Sequence, residues 1–244
     1  MKIAQGLETW VKTRLPTSLR DRLHQSKYRY IMRKTKPIEL IVHIGAHYAE
    51  DRFFYEELGA ETVLWIEADP GTFKTLKSTL NEHPKNTTNH LMECALVSSH
   101  DDTVLEFYKF NGDGASSSVY RASERLRETF EHVHETGEVL KLKSKTLTSI
   151  LEAHNIDIKN AENSMLVVDV QGHEMAVLEG ATQAISEFKF CKCEVSRIEI
   201  YTGGAQFCDV DDYFRSKQFK LSSHPYWRVP KHGDVLYTNI KDPK

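Results

Sequence analysis

Chemistry in this 244-residue chain falls to a few acids, histidines and hydroxyls at the ends of apolar runs. Asp169 follows the run Met165–Val168 and is itself followed by His173 and Glu174. A strand-end carboxylate next to an imidazole can position a nucleophile and take its proton, since histidine titrates near neutral pH. Asp169, His173 and Glu174 are therefore the catalytic candidates, with His173 the preferred base. Glu174 has an equal alternative, that of closing a helix start or accepting a backbone donor. A second group surrounds the turn after Glu39–Ile44, where His43, Gly45, His47 and Glu50 lie within one short stretch. Twenty-two residues beyond Gly45, Glu67 ends another apolar run. An acid at that spacing can accept hydrogen bonds from both hydroxyls of an adenosine ribose. Ser116, Ser117 and Ser118 offer small hydroxyls to a polyol, and Glu194 ends a run near that of Asp169. Asp169 and Glu194 either frame a bound donor or share a hard divalent ion such as magnesium. The twelve histidines have no ligand spacing, and none of the four cysteines lies in a CxxC pair, so no metal centre is expected.

These residues need a scaffold, and the apolar pattern supplies one. Short buried-strand runs at 39–44, 61–67, 91–97, 165–170 and 188–195 alternate with amphipathic stretches led by Phe73, Leu76 and Leu80, then Leu147, Ile150 and Leu151, then Met175, Val177 and Leu178. Additional strands are expected at 103–110, 139–143, 219–222 and 235–240, and a charged surface helix at 122–136. Such alternation implies an α/β fold with a mainly parallel sheet flanked by helices, whose ligands sit beyond the carboxyl ends of the strands.

The net charge of −3 hides an asymmetry. Residues 1–36 hold ten Lys/Arg against Glu8 and Asp21, a balance of +8, which leaves −11 on the remainder. The expected organisation is a basic amphipathic arm over 1–37 and one domain over 38–244. Leu7, Trp10, Val11, Leu15, Leu19, Leu23, Tyr30 and Ile31 give the arm its apolar face. It either docks on an anionic membrane surface or an acidic partner, or packs on its own acidic body. An acidic body is no generic nucleic-acid binder. With no membrane-length apolar stretch and no signal peptide evident, the expected location is cytoplasmic, with the arm able to make it peripheral to a membrane.

A dinucleotide would favour three glycines for its pyrophosphate, but the later turn positions here are His47 and Ala49, and the turn has no Lys or Arg. A phosphate-free, cationic methyl donor suits the acidic turn better than NAD. The run Ile41–Glu50, Glu67-Ala68-Asp69-Pro70, Ala95-Leu96, Gly114–Ser118, Asp169-Val-Gln-Gly-His-Glu174 and Leu178-Glu-Gly-Ala181 resemble the FkbM-type methyltransferases over residues 38–224. The resemblance implies a class I methyltransferase fold of Rossmann-like type. It also implies S-adenosylmethionine as cofactor and methylation of hydroxyls on sugars or other small molecules. It adds Ala68, Ala95 and Leu96 to His43, Gly45, His47, Glu50, Glu67 and Asp169 as cofactor-binding residues; Ser116, Ser117, Ser118 and Glu194 are the acceptor-side candidates. Where the family's first turn reads Asp-x-Gly-Ala-Asn-x-Gly, this chain has His43, His47 and Ala49. A cofactor-binding protein without catalysis, or an NAD-type oxidoreductase, are the alternatives.

Overall fold

The apolar runs become strands because helices cover both faces of the sheet they form. The computed structural model describes residues 28–82, 87–181, 184–223 and 232–241. Residues 28–35 are helical and lead into β1 (Leu40–Ile44), α1 (Arg52–Glu57), β2 (Thr62–Glu67), α2 (Pro70–Asn81), β3 (Asn89–Cys94), β4 (Leu96–Val97) and β5 (Val104–Phe110). Then come α3 (Glu124–Thr129), β6 (Glu135–Lys145), α4 (Leu147–Ala153), β7 (Ser164–Val168), α5 (Glu174–Ala181), β8 (Phe190–Ser196), α6 (Phe207–Ser216), β9 (Phe219–Ser223) and β10 (His232–Asn239). The main sheet runs β3-β2-β1-β7-β8-β10-β9, and a side sheet runs β4-β6-β5. Strands β3, β2, β1, β7 and β8 are parallel, while β10 is antiparallel to both neighbours. This is the expected α/β architecture with a mainly parallel sheet.

Alternation within each strand divides the core. Val42, Ile44, Leu64 and Val168 pack with Ile150 of α4, Val177 of α5 and Phe214 of α6. Ile41, Trp65 and Val167 pack on the opposite face with Met32, Tyr55 of α1 and Leu76 of α2. Gly180 lets α5 lie directly on the chain after β4, since a Cβ there would come within 2.1 Å of the Ser98 carbonyl oxygen.

Two expectations are corrected. The boundary at residue 37 falls inside one packed unit, because Tyr28 and Met32 are core residues and Met32 is fully buried. Of the proposed arm face, Tyr30 is 56% exposed; residues 1–27, with Leu7 to Leu23, lie outside the described residues. The helix expected at 122–136 is only α3, and β6 starts at Glu135. Leu126, Phe130 and Val133 have helical spacing, but Phe130 and Val133 leave the helix to pack near Tyr201. Asn111 then accepts the His134 N–H at 2.9 Å, which starts β6 alongside β5. Among the described residues no helix is long and apolar enough to cross a membrane.

Candidate active site

The parallel strands β1, β2, β3 and β7 end around one cleft of about 440 Å³, placed where β1 separates β2 from β7 and the chain order reverses. Its floor is the turn after β1. The Ile66 carbonyl accepts the N–H groups of Gly45 and Ala46 at 2.9 and 3.0 Å. Gly45 has φ +78°, and a Cβ there would lie 1.8 Å from the Asp169 carbonyl oxygen. The missing side chain thus lets the turn lie directly on the end of β7. His47 and Ala49 follow with φ +46° and +62°, the left-handed region that a glycine would occupy without cost.

Glu67 is buried at the end of β2, where one carboxylate oxygen accepts the His47 N–H at 3.0 Å and the other the Asp69 N–H at 2.9 Å. Burial outweighs these amides and pushes its pKa up to about 7. Ala68, Ala95 and Leu96 line the cleft beside it. The His47 ring places Nδ1 2.6 Å from Glu50 and Nε2 3.2 Å from the Asp113 carbonyl. Burial opposes its charge, but Glu50 and the Asp113 carbonyl raise its pKa, so a doubly donating imidazolium fits both contacts. The Tyr48 hydroxyl donates to the same carbonyl at 3.0 Å, tying the 111–118 loop across the cleft. His43 is buried against Trp65 and Tyr55, with the Tyr55 hydroxyl 3.1 Å from Nδ1, and burial lowers its pKa to about 4.

The expected acceptor serines are partly consumed by this loop. Ser117 accepts the Phe110 N–H, while Ser118 donates to the Gln171 carbonyl at 2.7 Å and lies outside the cleft lining. Ser116 and Ser117 remain at the lining.

Across the cleft, Gln171 Nε2 donates to Asp169 at 2.7 Å and to Glu194 at 2.5 Å, and its oxygen accepts the Tyr201 hydroxyl. His232 Nε2 lies 2.7 Å from the Glu194 carboxylate. Burial and the neighbouring Glu194 charge raise Asp169 well above the carboxylate range. Glu194 is also enclosed, but His232 and Asp169 hold it below the usual carboxylate range. Asp169 is thus the member of the pair pushed toward its protonated form, and Glu194 the one held toward its charged form. Sequence reading passed over His232; its only signal was the alternation of β10, whose partner strand cannot be read locally.

The two remaining catalytic candidates lie in different surroundings. His173 lines the β4 side of the cleft, with Nε2 3.0 Å from the Ser98 hydroxyl and its ring against Tyr120. Burial lowers it to about 4, and its enclosed Nδ1 has no partner among the described residues. It is a wall residue of the cleft, held toward its neutral form. Glu174 accepts the Val170 and Gly172 N–H groups at 3.3 and 3.1 Å and lies outside the main cleft lining, so it closes its own turn. Tyr226 and Trp227, two aromatic rings beside Pro225 that the sequence offers for stacking on a sugar or for closing the core edge, lie outside the described residues.

The S-adenosylmethionine implied by the resemblance fits the donor set. Glu50, Asp51, Glu67, Asp169 and Glu194 line the cleft, and no lysine or arginine does so among the described residues. That charge pattern suits a cation and repels a pyrophosphate. The described residues hold no cluster of three or more His, Cys, Asp or Glu side chains able to bind a metal ion.

Comparison with known proteins places this geometry in context. An uncharacterized protein from Listeria monocytogenes is similar at 10% identity and TM-score 0.48, over 90% of this chain and 70% of that one. M. capricolum TrmK in complex with S-adenosyl-homocysteine is similar at 8% identity and TM-score 0.45, over 88% and 68%. A putative methylase from Haemophilus influenzae is similar at 10% identity and TM-score 0.47, over 93% and 100%. These likenesses concern the fold alone. No curated protein matches the chain. The model of the methyltransferase FkbM domain matches residues 43–221, which include the carboxyl ends of β1, β2, β3 and β7, and the chain belongs to that family.

Proposed function

We propose that this protein transfers a methyl group from S-adenosylmethionine to a hydroxyl of a carbohydrate or similar small molecule. The observation that carries the reading is Glu67, a buried carboxylate at the end of β2 inside a cleft with no lysine or arginine among its described lining residues. When bound, S-adenosylmethionine supplies a methyl group on positively charged sulfur, which retains the electron pair of the broken bond. Glu67 would accept the ribose hydroxyls on the lone pairs left by His47 and Asp69, with Ala68, Ala95 and Leu96 beside it. Glu50 and Glu194 would favour the cationic end by charge.

The acceptor hydroxyl is a poor nucleophile at neutral pH and gains from a base as its oxygen attacks. His232 is best placed to take that proton, held by charged Glu194, while Gln171 fixes the two carboxyl groups relative to each other. Ser116 and Ser117 border the acceptor side, and the loop tied down by His47 and Tyr48 limits water. Titration calorimetry with S-adenosylhomocysteine and with NAD, followed by a methyl-transfer assay over hydroxyl compounds, tests the reading. Binding of the first ligand alone is expected; tight NAD binding without the other would overturn it.

A further inference from the structure

Beyond the Glu194–His232 pair the cleft continues onto an apolar wall of Leu126, Phe130, Val133 and Ile200. The Phe130 ring stands edge-on to His232, with centroids 6.1 Å apart and planes at 79°. Ile200 also borders a smaller side pocket shared with Gln171, Glu194 and His232. This wall is separate from the apolar patch of Ala95, Leu96 and Val97. That patch adjoins Glu67, whose carbonyl accepts the Ala95 N–H at 3.0 Å. One apolar surface therefore flanks the donor carboxylate, and a second flanks the proton acceptor.

The second wall is preformed. Ser123 caps α3 by accepting the Leu126 N–H at 3.2 Å, and its hydroxyl donates to the Glu199 carbonyl at 2.6 Å. The Ser123 N–H bonds the Ile200 carbonyl at 3.2 Å, which locks α3 to the segment carrying Ile200. Leu126 and Ile200 are buried, and Phe130 and Val133 are half-buried.

We propose that the acceptor carries an aromatic or alicyclic ring next to the hydroxyl that is methylated, and seats that ring on Leu126, Phe130, Val133 and Ile200. The proposal rests on the methyl-transfer reading and narrows its substrate class. These four side chains offer no donor or acceptor, so a bare polyol would leave hydroxyls facing them without the hydrogen bonds water gave. A ring loses only apolar surface there, and Phe130 presents a face or edge for stacking.

The test uses the full chain with saturating S-adenosylhomocysteine and neutral alcohols in matched pairs. These are benzyl alcohol against glycerol, and phenyl β-glucoside against methyl β-glucoside, with binding read by ligand-observed NMR. In each pair the ring-bearing member is expected to bind at least about tenfold tighter, as burial of several carbons implies. Phe130→Ala should abolish that preference while S-adenosylhomocysteine affinity stays within about twofold. Val133→Ser, at a half-buried position, carries the comparison if Phe130→Ala fails to fold. Equal affinities within the pairs, no binding of either ring-bearing alcohol, or a preference unchanged in a folded variant would overturn the proposal. Failure of S-adenosylhomocysteine to bind the wild type, read by its own signals before any alcohol is added, would instead overturn the methyl-transfer reading.

Discussion

At the scale of single residues, Glu67 has two duties that mutation can separate. It satisfies the His47 and Asp69 amides, and it faces the cleft. Glu67→Ala would strand two enclosed donors, each costing about 1–3 kcal/mol, so lost donor affinity would be mixed with lost stability. Glu67→Gln keeps one oxygen acceptor and the side-chain shape. We expect it to fold with a modestly lower Tm and to bind S-adenosylhomocysteine about tenfold or more weakly; unchanged affinity in calorimetry would remove Glu67 from the donor site. His232→Ala should lower kcat by about 10²-fold or more at unchanged donor affinity, as loss of a base implies. Full turnover in that variant would transfer the proton to another group. Glu67, Gly45 and Asp169 were legible because each ends or follows an apolar run. His232 was not, because its contact with Glu194 exists only once β10 pairs antiparallel with β8.

At the scale of elements, the helical residues 28–35 belong to the domain, not to a detachable arm. Tyr28 and Met32 are one helical turn apart and face Phe54 and Tyr55 of α1, while Arg33 pairs with Glu57 at 2.5 Å on the outside. Tyr28 meets Phe54 edge-on at 5.4 Å between centroids. The dense positive charge of this stretch masked its apolar pair in the sequence; of Tyr30 and Ile31, read as the apolar face, Ile31 packs on the core and Tyr30 is exposed. Met32→Ala should cost about 2–5 kcal/mol in chemical denaturation, as for other fully buried large side chains. Tyr30→Ala should change stability by less than about 0.5 kcal/mol. Deletion of residues 1–36 should therefore lower Tm sharply. A truncated chain melting with the wild type would show that the helix contributes nothing to the core. The strands β1, β2 and β7 were legible to within two residues because both their faces are apolar. The end of α3 was not, because only the tertiary contacts of Phe130 and Val133 override its helical spacing.

For the molecule as a whole, building a cleft from enclosed ionisable groups links stability to pH in two opposed ways. Burial raises Glu67 and Glu174 to about 7, so each favours the fold fully below about pH 4.5 and loses that contribution as pH rises through about 7. Burial lowers His43 and His173 to about 4, so each favours the fold above about pH 6.5 and loses that contribution as pH falls through about 4. Between pH 4.5 and 6.5 the two pairs oppose one another, and Asp169, raised by burial and by Glu194, adds to the side that weakens the fold with rising pH. The wild-type profile is the sum of these opposed contributions and that of Glu194, whose lowered pKa favours the fold as pH rises, and a single variant isolates one of them. In Glu174→Gln the side-chain oxygen can still accept the Val170 and Gly172 amides, but the group no longer ionises. Relative to the wild type, this variant should gain stability on the order of 3 kcal/mol between pH 4.5 and pH 8, with most of the change below about pH 7. Guanidinium denaturation of both proteins at a series of pH values reads the difference directly. A difference independent of pH would mean that Glu174 ionises in the folded state as it does in the unfolded chain. A difference running the other way would mean that the Val170 and Gly172 amides stabilise its charged form more than burial opposes it.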